Sequence, residues 1–371
     1  MFKIICSISI ISGTVIGAGL FALPYLTLKV GLPIMIGYLI VLGLIAILIH
    51  SFFGELAIKT KDFIRLPGFA RHYLGKWGYR TALFSGILGL FGACLVYLII
   101  GGEFLLALAS PFLGGNSVLY TFVYFIFGAL VIFWGIKAVD KVQFWGLILF
   151  FLTLAAVFYK GKSHLDLSNL SISEIDRSSL FLPYGIVLFS LWGLSLVPEA
   201  EEFLGEKRNY LKKIIPISII IPILVYIFFI VLILGIMGEK TTESALVGLQ
   251  DFLGDGIVSL VLFFGLLTTF TSFVAIGLTL KKIFWYDLKI KEKYSWFITC
   301  FVPLALFLGG LNDFVKVLAL VGGILLAIDG ILVSLMYQKI TPLRKRIITY
   351  PVITALVIGI VYELIYSFNF L

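Results

Sequence analysis

The chain has 371 residues, 61% of them hydrophobic and 13% charged, with a mean hydropathy of +1.13. A soluble domain, near half apolar and a quarter charged, has no means of hiding that much apolar surface. The formal net charge of +8 does not point to a nucleic-acid partner, because the basic residues are spread over short loops, where membrane topology accounts for them.

The apolar residues fall in blocks of about 20, the length a helix needs to cross about 30 Å of hydrocarbon. Eleven spans are predicted. The first, Lys3 to Leu28, is long, holds Gly13, Gly17, Gly19 and Pro24, and lacks a small-x-small cleavage site, so it reads as a span and not as a signal peptide. The second is Leu32 to Gly54. From Glu55 to Arg80, Phe63, Leu66, Phe69, Tyr73 and Leu74 alternate with basic residues, which predicts a helix lying on the inner membrane surface. The third, fourth and fifth spans are Thr81 to Ala109, Val118 to Ile136 and Val142 to Tyr159. Asn169-Leu170-Ser171, in the loop that follows, fits a glycosylation sequon, a triplet that also arises by chance. The sixth and seventh spans are Leu180 to Ala200 and Ile214 to Met237. An amphipathic stretch, Glu243 to Leu253, is expected over the outer mouth as a gate or a connector. Gly256 to Leu280, Ser295 to Leu308, Phe314 to Gln338 and Ile348 to Phe368 complete the set. Cys6, Cys94 and Cys300 all fall inside spans, without metal-ligand spacing.

With a cytoplasmic N-terminus, all but six of the 28 basic residues lie on the inner side; the six are Lys29, Lys160, Lys162, Arg177, Lys240 and Lys316. One face of a membrane usually collects Lys and Arg, so the N-terminus is expected inside and the C-terminus outside, in the plasma membrane.

Two spans differ from the rest. The first carries GTVIGAGLFALPY at Gly13 to Tyr25, and the sixth LPYGIVLFSLWGLSLVPEA at Leu182 to Ala200. Interrupted segments at corresponding positions of two halves mark a transporter site. They lie five spans apart, an odd number, so the halves have opposite orientation. The expected fold is an all-α polytopic membrane protein: inverted five-helix repeats over 1–159 and 160–338, with 339–371 as an extra C-terminal helix.

Unwound backbone persists at membrane depth only where protein, water or ligand satisfies it, so a broken span implies a cavity. Glycines in the break allow backbone angles and close approach that other residues resist. Free N–H groups where the first span resumes near Leu20 suit a carboxylate, and the carbonyls around Phe189 and Ser190 suit an ammonium group. The expected substrate-binding residues are therefore Thr14, Val15, Gly17, Ala18, Gly19, Phe189, Ser190, Trp192 and Gly193, with Tyr97 from the third span. The alternative is that G-x-x-x-G merely lets helices pack closely.

GTVIGAGLFALPY closely resembles the first-span signature of the aromatic and hydroxy amino acid permeases of the amino acid-polyamine-organocation superfamily. TSFVAIGL at Thr271 to Leu278 resembles that family's eighth-span segment, and Asp287 follows at a similar interval. The resemblance covers nearly the whole chain and implies the inverted-repeat fold and amino acid substrates. SLWGLSLVPE in the sixth span departs from the family's pattern, so an aromatic substrate does not follow from it.

Two sources of coupling stay open, a sodium ion or a proton. Thr268, Thr271 and Ser272 share one helix face. In sodium-coupled members of the fold, such hydroxyls join carbonyls of the first break, which here implies a cage of the Gly13 and Ile16 carbonyls with the Thr271 and Ser272 hydroxyls. The same hydroxyls can instead bond the preceding turn of their own helix. Two acids within spans, Asp329 and Glu103, are the alternative as proton carriers or as structural hydrogen-bonding groups. Lys141 and Lys160 bracket the fifth span without entering it. Glu199, Glu201 and Glu202 stand beside Lys207 and Arg208, as an inner gate or a solvated loop.

An enzyme is not expected, because His50, His72 and His164 are placed at a span end, in an inner loop and in an outer loop. A nutrient-sensing receptor on the same fold would need a cytoplasmic domain to signal through; a channel would differ in flux kinetics. Expected partners are an amino acid and the lipid bilayer, with no cofactor beyond Na+ or H+ and no obligatory protein partner.

Overall fold

In the computed structural model the first apolar block is two helices, α1 (Phe2–Val15) and α2 (Gly19–Val30), bent by 52° across a three-residue gap. The structure describes residues 2–60, 64–135, 139–171, 179–249, 252 and 255–369; Phe63, Lys137, Arg177 and Leu253 lie outside these, as do the side chains of Lys141 and Asp287. At the break the Ile16 N–H still reaches the Ser12 carbonyl (2.8 Å), but the Gly17 N–H turns to the Val15 carbonyl (2.8 Å), two residues back instead of four. The chain resumes with tight i→i−3 bonds from Leu20 to Gly17 and Phe21 to Ala18, the usual way a helix start satisfies its orphan groups.

Gly31, at φ 87°, ends α2, and Pro33 stands in the first turn of α3 (Leu32–Lys59). α4 (Leu66–Leu113) is interrupted at Gly75 (φ 76°, ψ −154°), so a short helix precedes the third span. This is the segment expected on the membrane surface. Its apolar side instead packs inward: Phe69 and Ala70 are fully buried, and the Phe69 ring meets Phe53 edge-on at 5.1 Å. Burial against the bundle removes apolar surface from water as lipid would, and also fixes the segment's position.

α5 (Ser117–Trp134) starts on an Asn116 cap and ends at left-handed Gly135; α6 is Val139–Gly161. The Asn169 amide of the sequon donates to the Gly235 carbonyl at 3.0 Å, so it ties the loop to the end of the seventh span. The sixth span is again broken, into α7 (Pro183–Ser190) and α8 (Val197–Leu204). α9 (Leu211–Met237) contains Pro222, which has no N–H for the Ser218 carbonyl. That carbonyl takes the Ser12 hydroxyl at 3.0 Å and pins α1 to α9.

The stretch from Glu243 is no amphipathic helix among its described residues. It is irregular, with Ala245 at φ 56° and a 3₁₀ turn at Val247–Leu249, and it buries Ala245, Leu246 and Leu249. Then follow α10 (Asp255–Lys282), α11 (Glu292–Leu308), α12 (Phe314–Ile340, π-helical over Val321–Leu326) and α13 (Thr349–Asn369). Lys281, expected in an inner loop, is buried and paired with Glu292 at 2.9 Å.

No strand occurs among the described residues. Seven helical stretches there are long and apolar enough to cross a membrane, eight if the bent α1–α2 pair is counted as one. Phe84, Phe127, Leu152, Leu224 and Ile358 are exposed on the outside of the bundle, as lipid-facing side chains would be.

Candidate transport site

The two breaks face one another. A Cβ on Gly19 would run into the Ser190 side chain, and one on Gly17 into the Tyr97 hydroxyl, whereas one on Gly13 would meet nothing within 4 Å. None of the three has a positive φ. Close approach, not an unusual backbone angle, is therefore what Gly17 and Gly19 provide, and Gly13 is an ordinary residue of α1.

Two buried side chains hold the breaks. The Tyr226 hydroxyl of α9 lies 2.5 Å from the Val15 carbonyl, at the end of α1, and 2.6 Å from the Ser190 carbonyl, at the end of α7. His50 of α3 has Nδ1 at 2.7 Å from the Ala46 carbonyl, while its Nε2 accepts the Gly193 N–H at 3.0 Å. A carbonyl only accepts, so Nδ1 carries the hydrogen and Nε2 is free to accept. The same ring meets Trp192 edge-on at 5.6 Å. Sequence reasoning placed His50 at a span end and passed over Tyr226. A histidine inside a long apolar helix was the available signal for the first; nothing local marks the second.

A cavity of about 710 Å³ reaches both breaks. Thr14, Val15, Gly17 and Gly19 line it from the first, Phe189, Ser190 and Trp192 from the sixth, and Tyr97 from α4. Ala18 and Gly193 complete the two breaks; Ala18 is fully buried, and Gly193 abuts Val15 and Ile11. The mouth carries Arg65, Arg71, Lys282, Lys289, Glu199 and Glu202. Arg65 binds Glu199 at 2.6 Å and approaches Glu202 at 3.7 Å, and Arg208 lies 3.7 Å from buried Glu201. Only Glu201 thus takes the partner expected from the sequence. At the opposite end Phe21 packs edge-on against Phe104 (5.0 Å) and Phe229 (6.2 Å), and Phe104 and Leu246 both abut Gly265. The site is open toward the basic face and plugged on the other.

The Tyr97 hydroxyl lies by the Ser272 hydroxyl and the Ala18 backbone, so it joins the first break to α10. The Thr271 hydroxyl donates to the Thr268 carbonyl of its own helix at 3.0 Å, and Thr268 is half-buried. Ile16 is buried in the break. Glu103 is half-buried beside Ser244, outside the cavity lining. Asp329 is buried on α12, one turn beyond the π-helical segment, and lines the cavity. Its Oδ1 is 2.5 Å from the Ser85 hydroxyl, which also lies 2.9 Å from the Thr81 carbonyl. The hydroxyl has one hydrogen, so a full bond on each side requires a proton on Asp329.

A helical membrane bundle with two broken spans meeting at a cavity has the architecture of a transporter. Residues 1–365 match the tryptophan/tyrosine permease family. The tyrosine-specific transport system 1 of Haemophilus influenzae is 28% identical over 297 residues, 76% of this chain and 72% of that one. The fold is similar to that of Mhp1, a nucleobase-cation-symport-1 family transporter solved closed around bromovinylhydantoin, with a TM-score of 0.65 at 14% identity, over 89% of this chain and 76% of that one. The chain belongs to the tryptophan/tyrosine permease family.

Proposed function

We propose that this protein carries an aromatic amino acid across the plasma membrane by alternating access, in symport with a proton. The observation that carries the reading is the cavity ending between two helix breaks, where half-helix ends of opposite polarity meet. With the Leu20 and Phe21 N–H groups turned back to Gly17 and Ala18, the Ala18 and Gly19 N–H groups at the opening of α2 suit the substrate carboxylate, and the carbonyls closing α1 and α7 suit its ammonium group. The relative's name makes tyrosine the first substrate to test. In this reading 1–159 and 160–338 are inverted halves, 339–371 is an added span, and the open face is cytoplasmic.

Asp329 is assigned the proton, because it combines burial, access to the cavity and a hydrogen-bonding pattern completed by protonation. A sodium reading keeps one specific support, the closeness of Ser272 to the first break through Tyr97. It would place the ion among the Gly13 and Ile16 carbonyls, Thr271 and Ser272. Uptake of labelled tyrosine into proteoliposomes, under an imposed pH or sodium gradient, decides between them. The proton reading predicts accumulation driven by an acidic exterior without sodium, and an Asp329→Asn protein that exchanges substrate but no longer accumulates it. Sodium dependence lost in Ser272→Ala, with no response to pH, would transfer the role to α10.

A further inference from the structure

We infer that Tyr226 is the positioning residue of the ammonium subsite, bridging the Val15 and Ser190 carbonyls so that the ends of two half-helices converge on the substrate's amino group. The inference rests on the amino acid reading above and adds a residue to it. Tyr226 is fully buried on a third helix, α9, and its hydroxyl stands 2.5 and 2.6 Å from the two carbonyl oxygens. Both oxygens belong to the last residue of a half-helix, where the backbone dipole places partial negative charge.

Hydrogen counting gives the cluster its chemistry. The phenol's one hydrogen stands between two carbonyl oxygens that donate none, and the Val15 carbonyl also takes the Gly17 N–H at 2.8 Å. A tyrosine serving packing alone needs a single acceptor. Here the Ser190 carbonyl, held by the phenol alone, keeps acceptor capacity, and Val15 and Ser190 both line the cavity. A primary ammonium is the complementary group, with three donors and no acceptor. The α1 contact is reinforced three residues away, where Ser12 donates to the Ser218 carbonyl freed by Pro222. The approach of α1 to α9 is thus set independently of the tyrosine, and the hydroxyl brings the end of α7 to the same point.

The test separates amino-group recognition from general integrity. Affinity for tyrosine and for its des-amino analogue, 3-(4-hydroxyphenyl)propanoate, is measured by competition in the wild type and in Tyr226→Phe. The wild type is expected to prefer tyrosine. In Tyr226→Phe the affinity for tyrosine falls about tenfold or more, the scale of a hydrogen bond to a charged group, while that for the analogue is unchanged. Equal loss for both ligands, or an unchanged preference, overturns the inference. Should Tyr226→Phe not fold, 3-fluorotyrosine at position 226, which keeps the donor, must retain the preference; losing it would equally contradict the assignment. A wild type that binds no amino acid would fail earlier, at the transport reading itself.

Discussion

An added methyl group at Gly19 would take the place of the Ser190 side chain, whereas at Gly13 it would find open space. Gly19→Ala is therefore expected to cost the overpacking penalty of about 1–3 kcal/mol and to abolish uptake, and Gly13→Ala to retain both stability and transport. Thermal unfolding in detergent and proteoliposome uptake check the pair; equal behaviour of the two variants would contradict the close-approach account. His50 gives a second contrast. His50→Ala leaves the buried Gly193 N–H without its acceptor, a loss of about 1–3 kcal/mol. His50→Gln supplies a carbonyl oxygen and should unfold at a temperature between those of His50→Ala and the wild type. Identical melting of the two variants would show that the ring's packing against Trp192 matters more than the hydrogen bond.

At the scale of elements, the interruptions were legible because glycine and proline punctuate an otherwise apolar run. Gly17, Gly19 and Pro24 announced the first break, and Pro183, Gly193 and Pro198 surround the second. Residues far apart in the chain were not legible as partners. His50 meets Gly193 across 143 positions and Tyr226 meets Val15 across 211, and no local periodicity encodes such pairings. The basic stretch before the third span shows the same limit: its amphipathicity was visible, but not whether lipid or protein would cover the apolar side. Folded inward, it delivers Arg65 to Glu199 on α8 and so links the cavity mouth to the second half of the sixth span. The pair is half-exposed, worth up to about 1 kcal/mol. Arg65→Ala should leave the melting temperature nearly unchanged while shifting the population away from the state open to the basic face by up to about fivefold. Slower thiol labelling of a cysteine at Thr14 from that face would register the shift, and an unchanged rate would reduce the ion pair to surface decoration.

For the whole molecule, one face is open and the other sealed by Phe21, Phe104 and Phe229. The proposed alternating access requires the converse state, in which this aromatic plug parts and the basic mouth closes. Substitution of Phe104 by Ala removes the ring that Phe21 packs on, and should raise substrate-independent leak or exposure to the opposite face; a tight wild-type barrier in Phe104→Ala would locate the seal elsewhere. The most direct test of the central claim, that the two breaks form a substrate site reached from the basic face, uses one cysteine at Thr14 in a protein with Cys6, Cys94 and Cys300 replaced. A membrane-impermeant thiol reagent is applied to each face in turn, with and without tyrosine. The account predicts labelling from the face that bears Arg65 and Lys282, slowed by tyrosine; labelling indifferent to every amino acid, or confined to the opposite face, would contradict it.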